Sequence, residues 1–268
     1  MIFTSNRYKN KNLSLITAVF ISLTGLFGLQ ACSSSSSSVP VVNEDASGLF
    51  KGTGTVNTST ALADVRGFVH GTRFMFFDEA ASVLYDGQIT AITASDLTAT
   101  VDVYVDGIKV TTTNVGVTGT VTSQSSMSLT LNGTGFASGT LSLTFDPLYN
   151  RGATIAKLVA TTPHAWRGAA TTASTFTTID SFNDETFNGS TALGGVSCAY
   201  TGTKSIPDAS INIYQLSMII DDTGACDHTG TGYTGFFAVI DGIEADDTVL
   251  FSTTNGTNAN VSIMTRVP

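Results

Sequence analysis

The residues of this sequence that could do chemistry are few and scattered. His70, His164 and His228 lie far apart, none is spaced from another as zinc ligands are, and the H-E-x-x-H motif is absent. The one dense group is Cys226-Asp227-His228, in which a thiol beside an imidazole could act as a nucleophile. That reaction needs a free thiol, and we expect Cys226 to be in a disulfide. We therefore predict no catalytic residue and no metal site.

Acidic residues are neighbours in the sequence at four places. Adjacent residues on a strand face opposite sides, so none of these pairs makes a catalytic dyad by itself. On loops they could bind calcium, but the twelve-residue calcium loop and the glycine-rich nonapeptide repeat are absent, and we expect solvated loop charge. The G-x-S-x-G elbow and a phosphate-binding glycine loop are absent too, so we predict no cofactor. The four pairs are Asp78-Glu79, Asp184-Glu185, Asp221-Asp222 and Asp246-Asp247.

The start of the chain has the three parts of an export signal. Arg7, Lys9 and Lys11 precede an apolar stretch at 13–29, and Leu29-Gln30-Ala31-Cys32 closes it before a run of serines. A transmembrane helix is the alternative, but Ser, Thr and Gly dilute the stretch, which is short for a membrane span. The Leu-x-Ala-Cys sequence resembles the lipobox of bacterial lipoproteins. This resemblance implies a signal peptide at 1–31 and lipidation of Cys32, with palmitate among the attached acyl chains.

Lipidation would make the membrane the first partner of this protein. Two or more acyl chains give stable anchoring, where one alone is marginal. By resemblance to Gram-negative lipoproteins, Ser33 after the cysteine implies sorting to the outer membrane, on its periplasmic or its cell-surface face. Residues 32–46 then form a lipidated, serine-rich tether without apolar periodicity.

The charge of the chain excludes one class of partner. The chain has 12 Lys and Arg against 21 Asp and Glu. The leader holds three of the basic residues and none of the acidic ones, so the mature charge is 9 − 21 = −12. A basic face supplies most of the affinity for nucleic acids, so we predict no nucleic-acid binding.

The remainder of the chain alternates polar and apolar residues, as antiparallel strands do. The alternation is clearest at Val101–Val105, Met127–Leu131, Leu141–Phe145, Ile211–Tyr214 and Val261–Ile263, where one face is apolar and the other polar. The run Phe74-Met75-Phe76-Phe77 predicts a strand that is buried on both faces or lies in the core of a closing barrel. Asx-Gly pairs predict tight turns at Asp86-Gly87, Asp106-Gly107, Asn132-Gly133 and Asn255-Gly256.

Two β units are predicted, separated by an interruption of this pattern. From Asp146 to Pro163 two prolines and irregular apolar spacing indicate a short helix or an irregular connector. Trp166-Arg167-Gly168 repeats the pattern of Phe50-Lys51-Gly52, an aromatic residue, a basic residue and a glycine at the start of a unit. We therefore expect an all-β protein with a first unit and connector at 47–162 and a second unit at 163–268, each a small antiparallel barrel or sandwich.

The second unit holds the two cysteines that lipidation leaves over. Cys198 and Cys226 form an even pair in an exported protein, and C-x-x-C spacing is absent, which favours a structural disulfide over a redox or metal pair. The bond would close a loop of 226 − 198 = 28 residues.

A series of short motifs resembles a group of uncharacterised proteobacterial lipoproteins. They include Gly-x-Phe-x-Gly at 48–52, Thr-Phe-Asp-x-x-Tyr-Asn-x-x-Ala-Thr at 144–154, Trp-x-Gly at 166–168 and Cys-x-Tyr-x-Gly at 198–202. The resemblance implies a lipid-anchored protein with small β-barrel or β-sandwich units, and it carries no activity. A looser similarity is to the β-barrel lobes of surface ligand-capture lipoproteins such as the transferrin-binding ones, although this chain is too short for two full lobes.

We therefore expect a non-enzymatic binding or interaction module displayed on the envelope, with an unknown protein or small-ligand partner. One alternative is a small-ligand carrier with a cavity inside a barrel, lined by Phe74 to Phe77 and by Phe236-Phe237. A second alternative is a hydrolase of unrecognised type, for which Asp227 and His228 would have to meet another carboxylate in a pocket. An outer-membrane channel is disfavoured by the Thr-rich strands and the lack of aromatic girdles.

Overall fold

The computed structural model describes residues 42–57, 59–154, 165–168, 176–182, 185–193, 196–221 and 230–267. These residues form two closed antiparallel barrels of eight strands each, so the predicted all-β fold with two small units is confirmed, and the units are barrels. The first barrel, with a short additional strand β6, consists of β1 (Gly48–Val56), β2 (Thr60–His70), β3 (Arg73–Asp78), β4 (Val83–Thr93), β5 (Asp96–Val105), β6 (Ile108–Lys109), β7 (Val115–Thr122), β8 (Ser126–Asn132) and β9 (Ser138–Asp146). The second consists of β10 (Ala165–Gly168), β11 (Phe176–Phe182), β12 (Thr186–Leu193), β13 (Val196–Ser205), β14 (Tyr214–Ile220), β15 (Gly230–Ile240), β16 (Thr248–Thr254) and β17 (Ala259–Val267).

Both barrels run up and down and close their first strand on their last. In the first barrel each strand pairs with the next, β5 passes directly to β7, and β1 closes on β9. In the second barrel β10 closes on β17. Phe50 and Trp166, the aromatic residues of the two matching tripeptides, are both buried in these closing strands. The two tripeptides therefore occupy equivalent places in the two barrels.

On one side of the first barrel the outward residues face water, as the alternation predicted, and we call this side, formed by β8 and β9, the wet wall. In β8 the residues Met127, Leu129 and Leu131 are buried, while the serines and threonines between them are exposed. The same alternation runs through most of β9. A strand with one face on an apolar interior and the other in water requires this pattern, so here the sequence reading is confirmed.

One predicted turn is present and another is wrong. Asp106 and Gly107 both have positive φ, 50° and 77°, and form the tight turn between β5 and β6. Asp86-Gly87, in contrast, lies in the middle of β4. A β-carbon at Gly87 would collide with the ring of Phe74, so this glycine makes room for an aromatic side chain inside the barrel and does not turn the chain.

On another side of the first barrel the outward residues are shielded from water because they pack against the second barrel. We call this side, which includes β2 and β3, the dry wall. Phe68 of β2 is fully buried with its ring centroid 6.1 Å from that of Phe236 of β15. Met75 of β3 accepts a hydrogen bond from the hydroxyl of Ser252 of β16 at 3.7 Å. The predicted burial of Phe74–Phe77 on both faces is confirmed, since all four residues are at most 2% exposed.

Because of this contact, polar residues of β17 are buried on the side that we expected to face water. Val261 faces the first barrel and belongs to its core cluster, while Met264 belongs to the core of the second barrel. Because alternate residues of a strand point to opposite sides, Asn260 and Ser262 point into the second barrel. We expected Ser262 on a wet face, and this is wrong: its side chain is 0% exposed.

Two irregular segments, one after β9 and one before β14, are joined by hydrogen bonds. The connector begins with the 3₁₀-helix η2 (Pro147–Arg151), whose N-terminus is capped by the side chain of Asp146. The predicted strand at Ile211–Tyr214 is wrong for its first three residues, since β14 begins at Tyr214. Asn212 instead bridges the segments: its buried amide donates to the carbonyl of Val239 at 2.6 Å and to that of Leu148 at 3.2 Å.

The last residues of the expected tether belong to the folded part. The backbone N–H of Glu44 donates to the carbonyl of Ala94, and its carboxylate accepts the N–H of Ser123 at 2.8 Å. Ala46 is 3% exposed. The prediction that the flexible tether extends to residue 46 is therefore wrong for its last residues, from Glu44 to Ala46. No helix in the described ranges has the length and hydropathy to cross a membrane.

Candidate functional site

Several of the site residues considered from the sequence lie outside the described residues. These are Cys32, His164, Asp184, Asp222, Cys226, Asp227 and His228. The predicted lipidation, the predicted Cys198–Cys226 disulfide and the Cys-Asp-His cluster therefore stay predictions.

Two of the candidate residues can be located in the structure. Cys198 lies in β13 and is 1% exposed in the core of the second barrel. His70 ends β2 and packs edge-on against the ring of Phe236, with 6.0 Å between ring centroids. His70 thus takes part in the contact between the barrels.

The acidic pair Asp78-Glu79 is structural, which corrects the expectation of solvated charge. Asp78 is 2% exposed and accepts the backbone N–H groups of Asp64 and Ala81. Glu79 reaches across to β17, where its Oε1 accepts the N–H of Ile263 and the hydroxyl of Ser262, both at 3.1 Å. Burial raises the pKa of Glu79 above its usual range, against the effect of these two hydrogen bonds.

Glu79 joins the first barrel to the closing strand of the second. Among the described residues β10 pairs with β17 from Met264 to Val267, and the N–H of Ile263 lies next to this paired stretch. An unpaired N–H at a buried strand edge is costly, and the carboxylate of Glu79 satisfies it. A residue of the first barrel thus accepts two hydrogen bonds from β17 at the seam of the second.

A polar crevice of about 200 Å³ lies on the outside of the first barrel. It forms on β3, β4 and β5, beside the part of these strands that contacts the second barrel. At this point the pairing of β5 with β7 ends, at Val101. Register places the outward side chains of these strands in two rows, Arg73-Gln88-Thr100 and Asp86-Asp102. The crevice is lined by Arg73, Asp86, Gly87, Gln88, Thr100, Asp102 and Asn114.

The Arg73–Asp86 pair forms one side of the crevice and is held by the second barrel. The guanidinium donates from Nε and from one terminal nitrogen to the two oxygens of Asp86, both at 2.9 Å. It also donates to the hydroxyl of Thr234 at 3.0 Å, and its carbon lies 5.7 Å from the ring centroid of Phe236. Thr254 donates to Asp86 at 2.7 Å. A two-point ion pair with this many further contacts has a fixed geometry.

Asp102 forms the other side of the crevice. Its Oδ2 lies 2.7 Å from the ammonium of Lys109, and both side chains are less than a quarter exposed. Its Oδ1 accepts a long bond of 3.4 Å from the hydroxyl of Thr111. Asp86 and Asp102 are cross-strand neighbours, and like charges in such positions repel unless each is compensated. Arg73 and Lys109 provide this compensation, so the charges of the crevice balance.

A gap inside the first barrel, among Phe74, Tyr85, Val101, Val117 and the leucines that face them, has no room for a water molecule. Alternate residues of β3 point to opposite sides, so Phe77 points away from this interior. The expectation that the phenylalanines of Phe74 to Phe77 line one ligand cavity is therefore wrong.

The paired phenylalanines of β15 do not line one cavity either. Phe236 faces the first barrel, and Phe237 stacks on Tyr214 inside the second with 4.3 Å between ring centroids. Within the described ranges no cluster of three or more His, Cys, Asp or Glu side chains could hold a metal ion.

Sequence reasoning missed the crevice because its residues are ordinary strand residues. Gln88, Thr100 and Asp102 appear in the sequence as the polar halves of alternating strands. One signal was available: Asp86 and Asp102 are acidic residues inside strand patterns, where acidic residues are depleted.

The comparisons with known proteins give no relative. No family model, no curated protein and no solved structure matches this chain.

Proposed function

We propose that this chain is a lipid-anchored envelope protein whose folded part is a non-enzymatic binding module, with the polar crevice as its binding site. The lipobox at Leu29–Cys32 and the preceding leader support the anchor. The sorting signal at Ser33 supports the outer membrane.

The observation that carries the binding role is the set of hydrogen bonds that holds one side of the crevice. Strands of the first barrel form it, and Thr234 and Thr254 of the second barrel hold its Arg73–Asp86 side in place. A site formed before its ligand arrives loses little conformational entropy on binding. Binding sites are commonly placed where two packed units meet, as this crevice is.

The anchor is tested by labelling cells with an acyl reporter and fractionating their membranes. We expect label on the wild-type protein and none on Cys32→Ser, which should leave the membrane fraction. A Cys32→Ser protein that still partitions with membranes would contradict the anchor. Protease shaving of intact cells then determines which face of the outer membrane carries the protein.

The binding role is tested on the lipid-free chain from residue 32 carrying Cys32→Ser. Small molecules extracted from cell envelopes are added to the isotope-labelled protein, and we expect NMR shifts at Gln88, Thr100 and Asn114. Thr100→Trp fills the crevice and should abolish these shifts. Thr130→Trp, on the exposed face of β8, is the matched control and should preserve them. Absence of any extract-induced shift at the crevice would refute the binding role.

A further inference from the structure

We propose that the ligand of the crevice is a small, neutral, hydroxyl-rich molecule about the size of a single sugar ring. This inference rests on the binding role proposed above and names the class of its ligand. It follows from the size of the crevice, from its balanced charge and from the mixture of donors and acceptors along its walls.

The size of the crevice sets an upper limit on the ligand. Its volume of about 200 Å³ is below the roughly 300 to 1,000 Å³ of pockets that take drug-sized molecules. The crevice is also open on the outside of the barrel. A compact molecule of one ring fits such a recess, and a longer chain would extend into solvent.

The ion pairs argue against a charged ligand. Within the described residues, Nε and both terminal nitrogens of Arg73 donate hydrogen bonds to Asp86, Thr234 and Thr254, so the guanidinium is engaged from all three nitrogens. Lys109 is 2.7 Å from Asp102, and an anion would have to displace that carboxylate. An ammonium ligand would in turn have to displace Lys109 from Asp102. In both cases a formed ion pair is lost, which offsets the new one.

The hydroxyl groups of a ligand can form hydrogen bonds with the polar groups of the crevice that are not in ion pairs, and with the second oxygen of Asp102. Oδ1 of Asp102 can accept a further hydrogen bond, because its bond from Thr111 is long at 3.4 Å. The amide of Gln88 already donates one hydrogen bond to the hydroxyl of Thr72 and keeps its second N–H and its oxygen for a ligand. The amide of Asn114 and the hydroxyl of Thr100 also line the crevice. Each hydroxyl of a polyol both donates and accepts. A vicinal diol can therefore donate to Asp102 with one oxygen and accept from an amide with the next.

The class is tested by titrating the labelled lipid-free chain with glucose, galactose and mannose, and in parallel with putrescine and citrate. We expect at least one hexose to shift Gln88, Thr100 and Asn114. The affinity for this hexose should be the same in low and in high salt, since screening weakens only charged contacts. Asp102→Asn should lower the affinity at least about tenfold, because a hydrogen bond to a charged acceptor is lost.

Two further variants separate this effect from a general one. Asp96→Asn removes an equal charge from the exposed start of the same strand and should leave hexose affinity unchanged. Gln88→Leu removes an amide from an exposed position of the crevice and should weaken hexose binding without disturbing the Asp102–Lys109 pair.

The possible results distinguish this inference from the binding role. Binding of putrescine or citrate at the crevice without a hexose, or hexose binding that Asp102→Asn leaves unchanged, overturns the neutral ligand. If the envelope extract shifts the crevice residues and no hexose does, the ligand class is wrong and the binding role stands. If neither the extract nor the panel shifts them, both proposals fail.

Discussion

The two barrels share their strand number and their closure but differ in what fills them. The first has a largely apolar interior and Ser and Thr on its wet wall. The second has Thr253, Asn260 and Ser262 on inward positions of β16 and β17, because the residues beside them in these strands, Ser252, Thr254 and Val261, face the first barrel. The second barrel also depends on Glu79 of the first at its seam. Alternation along a strand therefore tells which residues share a face, and it does not tell which face is the interior of a barrel.

The strongest test of this comparison is a large-to-small substitution on the dry wall. Phe68 lies on the outside of the first barrel, yet it is 0% exposed. We expect Phe68→Ala to lower the free energy of unfolding by about 3 to 5 kcal/mol, as an interior substitution would. Thr144→Ala, on the wet wall, should change it by less than about 0.5 kcal/mol. Denaturant titration measures both, and equal small effects would show that the barrels do not share a core.

The second test concerns the predicted disulfide, for which only the second barrel has cysteines. If Cys198 and Cys226 are bonded, reduction should destabilise the protein by about 3 to 4 kcal/mol, from the entropy of the opened loop. Denaturant titration with and without a reductant measures the effect. Thiol alkylation followed by mass spectrometry is the control: two alkylated cysteines in the unreduced, lipid-free Cys32→Ser protein would contradict the bond.

The third test removes Arg73, which forms an ion pair with Asp86 of the same barrel and hydrogen bonds to the second barrel. Arg73→Ala removes charged hydrogen bonds to Asp86 and contacts to β15 and β16, and should cost about 1.5 to 3 kcal/mol. Arg66→Ala, which breaks an ion pair with the more exposed Asp64 inside the first barrel, should cost less than about 1 kcal/mol. Thermal unfolding of the two variants compares them. An equal loss would mean that the contact with the second barrel adds nothing.

The fourth test replaces a polar side chain inside the second barrel. Asn260 is 1% exposed, and within the described part of the chain neither of its side-chain polar atoms has a hydrogen-bond partner. Burying such groups costs about 1 to 3 kcal/mol, so Asn260→Leu should hold or raise the stability. Destabilisation in a denaturant titration would show that the amide contributes to the fold.

The smallest expected effect is the pH dependence at the seam. The folded-state pKa of Glu79 is raised above 4.5 by burial, so its contribution to stability is complete below pH 4.5 and decreases as the pH rises through the folded-state value. Glu79→Gln keeps an acceptor for Ile263 and Ser262 without charge. We expect it to be at least as stable as the wild type at pH 7, with the difference vanishing toward pH 4.5. A difference in unfolding free energy that is independent of pH would contradict this assignment.

The accuracy of the sequence reading depended on how local each feature is. The Asp106-Gly107 turn was predictable because both residues adopt positive φ within the turn itself. Asp86-Gly87 has the same sequence signal, but a glycine is needed there because the ring of Phe74 on a neighbouring strand leaves no room for a β-carbon. The crevice could not be predicted, since its residues come from three strands and their support comes from a second barrel.

The amino-acid sequence alone determined that the chain is all-β, with two units and strands such as β8 that divide cleanly into wet and dry faces. Period-two alternation and turn residues are local properties, and they survive in any fold that uses those strands. The tertiary structure decided that outward residues such as Phe68 and Met75 are buried, that Glu79 bonds to β17 at the seam of the second barrel, and that Asp86 and Asp102 border a crevice. These features depend on which surfaces of the two barrels meet, because burial and ion pairing at a contact are set by residues far away in the chain.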